Sequence, residues 1–142
     1  MNRRESLVRL KRFRVDELKR HMATLDGMRA DVTRKLTDLE ESIARERQRA
    51  NDSDLGRLAF PSFLKAMDAR RDNLQATLKE IERERSQAQN VFGDAYQELK
   101  SLELANEQDV KRAAESQLRK SGTRLGELAL SRQLRKQALR HV

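Results

Sequence analysis

Histidine and the charged side chains are the residues of this sequence that offer chemistry. His21 and His141 are its only histidines, and neither has acids or thiols at the spacing of a catalytic triad or metal site. There is no cysteine, hence no nucleophilic thiol or disulfide, and no glycine-rich phosphate loop. We therefore expect no enzyme activity, no metal ion, no cofactor and no small-molecule substrate.

Binding chemistry is concentrated in the basic residues of the two ends. Residues 1–20 contain eight Lys or Arg against three acids, a net charge of +5, and residues 111–142 contain nine against two, a net charge of +7. Because the whole chain has a net charge of +8, the segment between these ends carries −4. Such clusters attract acidic partners through long-range electrostatics. The candidate partner-binding residues, which we call the basic tip, are Arg3, Arg4, Arg9, Arg12, Lys111, Arg112, Arg119, Lys120 and Arg124.

The elements that position these residues follow from a seven-residue apolar repeat, which predicts the a and d positions of a coiled coil. Apolar residues recur at alternating spacings of three and four in two separate runs. The first run is Val8, Val15, Leu18, Met22, Leu25, Val32, Leu36, Leu39, Ile43 and Ala50. The second run is Phe60, Leu64, Met67, Leu74, Leu78, Ile81, Ala88, Phe92, Ala95, Leu99 and Leu102.

A cluster of turn-forming residues separates the runs. It contains Asn51–Asp54, Gly56 and the only proline, Pro61, which suits the first position of a helix. We predict an all-α fold, a two-helix antiparallel coiled-coil hairpin in a single domain, residues 1–142. Helix one covers about 5–50, the turn about 51–60, helix two about 61–120, and a basic tail that can fray about 111–142. The longer second helix overhangs the open end, where both basic ends meet.

Three arginines at a or d positions are predicted to set the register of the two helices. With the turn between Ala50 and Phe60, facing a and d positions have residue numbers that sum to 110. Each arginine then faces an apolar residue and has an acid within reach at the edge of the interface. The predicted pairs are Arg29 with Glu82, Arg71 with Glu40, and Arg85 with Asp26. A shift by one heptad also avoids polar pairs, but it lengthens the loop and leaves Ala50 without a layer.

Beyond the last paired layer the repeat decays, and leucines remain without an internal partner. Gly122 and Gly126 enter here, and each costs a helix about 1 kcal/mol. A helix whose apolar face packs against nothing within the chain either frays or binds a partner. These leucines are Leu118, Leu125, Leu128, Leu130, Leu134 and Leu139.

Composition agrees with a coiled coil better than with an ordinary globular domain. Charged residues make up 38% of the chain and aromatic residues only 4%, too few large apolar side chains for a thick core. High charge also favours disorder, which the sustained repeat argues against up to about residue 105. We find no signal peptide, lipidation motif or stretch long enough to span a bilayer, so we expect a cytoplasmic protein.

Two segments of the sequence resemble the FliJ family of flagellar export proteins, in its alphaproteobacterial form. The first is Arg4–Phe13 (RESLVRLKRF) with the following Val15–Glu17 (VDE). The second is Phe60–Phe63 (FPSF), followed by Arg70–Leu74 (RRDNL). The likeness covers most of residues 1–105 and fades in the tail.

The resemblance implies a non-enzymatic, stalk-like component of the flagellar type III protein export apparatus. Its expected partners are the hexameric export ATPase and the membrane export gate, with export chaperones as further partners. It also implies peripheral association with the inner membrane through that apparatus.

Two other functions remain open from the residues alone. A structural or scaffolding coiled coil would show the same repeat without a dedicated partner. A nucleic-acid binder could use the same basic tip, but Phe13 and Tyr96 are the only aromatic residues near it and no recognition motif is present, so we do not expect one. The sequence does not decide between a monomer and a four-helix pair of hairpins.

Overall fold

A computed structural model describes residues 2–140 as two α-helices, α1 (Arg3–Asn51) and α2 (Asp54–Arg140). No strand occurs among these residues, and the helices pack against each other antiparallel, which confirms the predicted all-α hairpin. The chain forms two compact units. One consists of Met1–Leu10 and Glu98–Val142, the other of Lys11–Gln97.

The turn between the helices is shorter than predicted, and the expected start of α2 near Pro61 is wrong. Only Asp52 and Ser53 separate the helices. Ser53 caps α2, because its Oγ accepts the Gly56 N–H at 3.0 Å and its carbonyl accepts the Arg57 N–H at 3.1 Å. Pro61 therefore lies inside the helix, where its missing N–H leaves only the Arg57 carbonyl without an intrahelical donor.

α2 also extends further than the predicted end near residue 120. It continues through Gly122 and Gly126 to Arg140, and the last two residues of the predicted tail, His141 and Val142, lie outside the described residues. Leu, Arg, Lys, Gln, Glu and Ala dominate this stretch, and their high helix propensities offset the cost of two glycines.

The predicted apolar positions form the interface between the helices. In α1 every residue of the first apolar run is buried except Leu36, which is half-buried. In α2 Ile81, Ala88 and Leu99 are buried, and the rest of the second run is half-buried. The heptad phase was therefore correct in both helices.

One core cluster supports the predicted register directly. Met22, Leu25 and Ala88 are buried together in the Lys11–Gln97 unit, with Phe92 packed against them. Met22 and Ala88 form one of the layers in which residue numbers sum to 110.

Neither helix, over residues 2–140, has a segment long and apolar enough to cross a membrane.

Candidate partner-binding surface

The unit formed by Met1–Leu10 and Glu98–Val142 holds most of the basic tip. Val8 on α1 and Leu99 on α2 are buried, at 5% and 4% exposure. Nearer the start of α1, the Arg4 guanidinium forms an ion pair with the Asp109 carboxylate and donates to the Ala105 carbonyl at 3.4 Å. The first turn of α1 is thereby held against α2, and α2 continues past this contact for 31 residues, about 46 Å.

The ion pair gives Arg4 a different role from the other predicted tip residues. Its charge is offset by Asp109, so it anchors α1 to α2. Seven other tip residues in this unit are exposed and form no ion pair with any residue between 2 and 140. They are Arg3, Arg9, Lys111, Arg112, Arg119, Lys120 and Arg124. The ninth predicted residue, Arg12, belongs to the other unit.

Four further basic residues belong to the same stretch of α2, although the prediction counted them only in the net charge. They are exposed on α2, which remains helical as far as Arg140, whereas we expected a tail that can fray. They are Arg132, Arg135, Lys136 and Arg140.

The leucines beyond the Arg4–Asp109 contact are exposed, as the decay of the repeat predicted. Leu118 is 73% exposed and Leu125 68%, and the other four range from 57% to 77%. Exposed leucines in such number, interleaved with basic side chains, are typical of a surface that binds a partner.

An open groove along the start of α1 was not predicted from the sequence. Leu7 and Leu10 line it, exposed at 40% and 63%, together with Arg3, Arg4 and Asp109. The sequence did contain a sign of this groove. Leu7 and Leu10 lie on either side of the buried Val8, and both are apolar although they are outside the a and d positions.

Within the Lys11–Gln97 unit, Arg71 makes the cross-helix contact that the register predicted. Its Nε donates to Glu40 Oε1 at 2.6 Å, and its terminal nitrogen donates to Asp68 Oδ1 at 2.7 Å. The hydrogen bond to Glu40 raises the pKa of the Arg71 guanidinium above its ordinary value. Arg71 therefore stays charged wherever the protein is folded.

Arg85 makes the second predicted contact in this unit. Its Nε donates to Asp26 Oδ1 at 3.0 Å, and its terminal nitrogen donates to Gln89 Oε1 at 2.8 Å. The same nitrogen donates to the Met22 sulfur at 3.5 Å, so the Arg85 guanidinium contacts a residue of the core cluster.

The predicted contact of Arg29 with Glu82 is wrong. The Arg29 side chain is half exposed, and its terminal nitrogen lies 3.9 Å from Asp26 Oδ1 on the same helix. Asp26 is three residues away along α1 and is already held by Arg85 from α2. Arg29 can reach this carboxylate without crossing the interface. A long side chain loses less conformational entropy in such a local contact than in a contact across the interface.

Comparison with protein-family models, with curated protein sequences and with solved structures found no match to this chain. Among residues 2–140 no group of three or more His, Cys, Asp or Glu side chains is placed to hold a metal ion. His21 is exposed on α1, and His141 lies outside the described residues. The arrangement of charge and exposed leucine is what the described residues offer for binding.

Proposed function

We propose that this chain is a non-enzymatic component of the flagellar type III protein export apparatus, resembling the FliJ family. In this role it engages the export ATPase and the export gate, and assists the handling of export substrates and their chaperones. It is then cytoplasmic and reaches the inner membrane through the apparatus.

The observation that carries the proposal is the charge of α2 beyond Asp109. Residues 111–140 contain nine Lys or Arg against two Glu, so the segment has a net charge of +7. Six exposed leucines lie in the same helical segment. A scaffold without a dedicated partner has no need for exposed leucines and unpaired cations in one segment, whereas a docking surface for an acidic protein uses both.

The two short likenesses to the FliJ family supply the names of the partners. Arg4 of the first segment is the residue that holds α1 against α2, and Arg71 of the second makes the contact with Glu40. Both likenesses thus include residues that join the two helices of this chain, and the proposal extends the likeness to function.

The test is a complementation experiment in the organism that encodes the chain. A tip variant carries Arg9→Glu, Arg119→Glu and Lys120→Glu. A matched control variant carries Arg45→Glu, Lys65→Glu and Lys79→Glu, which makes the same change of charge at exposed sites of the Lys11–Gln97 unit. All six residues lie outside the paired apolar positions, so helix content measured by circular dichroism should not change.

We expect strains with the tip variant to export fewer flagellar subunits and to swim poorly, with normal amounts of the folded protein. Strains with the control variant should swim normally. A scaffolding role predicts equal effects of the two variants. Full motility of the tip-variant strain contradicts the proposal.

A further inference from the structure

The α2 overhang, residues 110–140, carries a second apolar repeat that does not face α1. Leu118, Leu125 and Leu128 follow one another at spacings of seven and three residues, and Leu139 continues the same phase. Ser121 occupies the position between Leu118 and Leu125, and Arg132 and Arg135 occupy the two positions between Leu128 and Leu139. Alternation of three and four is the spacing that packs one helix along another.

This second repeat lies on the opposite side of α2 from α1. Asp109 marks the side that faces α1, because it pairs with Arg4. At 3.6 residues per turn, Leu118 lies about two and a half turns beyond Asp109 and Leu125 about four and a half, which places both about half a turn away around the helix. Leu134, about seven turns beyond Asp109, lies on the α1 side. We call the side with Leu118 and Leu125 the outward face, and Leu128, about a quarter turn around the helix from Asp109, lies at its edge.

The outward face has a defined chemical character. Its leucines are exposed in the free chain, and Arg132 and Arg135 stand where further leucines would continue the repeat. Any helix that packs along it must therefore bury leucine over one half and offer carboxylates over the other.

A second copy of this chain does not meet that requirement. Two outward faces would bring overhangs with a net charge of +7 each into contact, and each overhang has only Glu115 and Glu127 to set against nine basic residues. Like charges across a helix pair are destabilising. An anionic bilayer suits the charge, but residues 110–140 contain no aromatic side chain to enter an interface, and arginines interrupt the apolar face.

We propose that the outward face binds an acidic amphipathic helix of another protein, as the second strand of a short intermolecular coiled coil. This rests on the proposed function and adds to it the chemistry of the partner and the face of α2 that it covers. The partner helix places leucine-like side chains against Leu118 and Leu125, and Asp or Glu against Arg132 and Arg135.

The test uses the full chain and a synthetic four-heptad peptide with leucine at a and d and glutamate at e and g. In one end heptad of the peptide, glutamate also replaces the a and d leucines. A second peptide of the same composition has its leucines out of phase. Binding is measured by fluorescence anisotropy, and we expect the in-phase peptide to bind and the out-of-phase peptide not to.

The double variant Leu118→Ala and Leu125→Ala should weaken binding of the in-phase peptide about tenfold or more, since two buried leucines are lost. The matched double variant Leu130→Ala and Leu134→Ala, on the other side of α2, should change it less than about twofold. All four leucines are exposed in the free chain, so neither variant disturbs its packing.

Failure of the in-phase peptide to bind overturns the inference, as does equal weakening by the two double variants. It is also overturned if phosphatidylglycerol vesicles capture the chain through Leu118 and Leu125 while the peptide does not. If the in-phase peptide does not bind and the tip variant still impairs export, the inference of a partner helix is wrong and the proposed function stands. If the peptide binds and the tip variant exports normally, the proposed function is wrong.

Discussion

At the scale of single residues, the two arginines that bridge the helices differ from the one that does not. Arg71 and Arg85 reach carboxylates on α1, whereas Arg29 stays on its own helix. Their side chains are 27% and 28% exposed and their acids more so, and ion pairs that are open to solvent add little to stability. We infer that these arginines serve register more than stability.

Replacing both bridging arginines, Arg71→Leu and Arg85→Leu, should raise the melting temperature, because two leucines then fill apolar layers. The same change should promote off-register or higher-order association, since the charges that disfavour other alignments are gone. Circular dichroism melting and analytical ultracentrifugation measure the two effects. Arg29→Leu is the control, and it should leave association unchanged.

A lower melting temperature together with unchanged sedimentation would mean that the ion pairs stabilise the fold and do not select it.

The raised pKa of Arg71 also has a definite consequence for pH. A group with a raised folded-state pKa stabilises the fold at all pH values below its unfolded pKa. Since that value is far above neutrality for arginine, this contribution should be constant throughout the neutral range.

At the scale of the elements, the start of α2 depends on a close fit around Gly56. A Cβ at this position would lie 2.9 Å from Ser53 Oγ, 3.1 Å from Ala50 Cα and 3.2 Å from the Arg49 carbonyl oxygen. Two of these atoms belong to the backbone of α1 and cannot move without opening the turn. Glycine therefore permits the two-residue connection and the Ser53 cap together.

Gly56→Ala should destabilise the protein, although alanine is the better helix former by about 1 kcal/mol. Gly27→Ala is the matched control, because a Cβ added to Gly27 inside α1 would meet no atom within 4 Å, and it should stabilise by about 1 kcal/mol. Urea unfolding of the two variants gives the comparison. If Gly56→Ala stabilises as much as Gly27→Ala, the turn is looser than this close fit requires.

The sequence predicts some of these features and misses others for physical reasons. The heptad positions from Val8 to Leu102 were correct because apolar spacing directly encodes which side of a helix is buried. The start of α2 was missed because Ser53 and Pro61 are both good helix starts, and the choice depends on how closely Gly56 approaches α1. The contact of Arg29 was missed because a heptad does not say which of two nearby acids a flexible side chain selects.

The sequence also predicts part of the candidate partner-binding surface and misses the rest. The exposure of the basic tip followed from charge alone, and the exposed leucines followed from the decay of the repeat. That Arg4 is an anchor depends on Asp109, whose pairing required the structure. Helix up to Arg140 was missed because the cost of Gly122 and Gly126 is visible locally, whereas the propensities that offset it add up over the whole overhang.

At the scale of the whole molecule, we propose that the distribution of charge determines which segment binds a partner. The chain has a net charge of +8, and residues 111–140, which α1 does not cover, have a net charge of +7. α2 has 87 residues and α1 has 49, so the difference in helix length is what leaves this segment available. We propose that partner binding depends on this surplus charge.

The affinity of the full chain for its proposed partner, the purified export ATPase, should be measured at a series of salt concentrations. We expect binding of the wild type to weaken steeply with salt, because screening removes the attraction. The tip variant, with Arg9→Glu, Arg119→Glu and Lys120→Glu, should bind at least about tenfold more weakly and with a flatter salt dependence. The matched control variant, with Arg45→Glu, Lys65→Glu and Lys79→Glu, should bind like the wild type. Equal affinities and equal salt dependence of all three proteins would mean that the surplus charge does not drive binding.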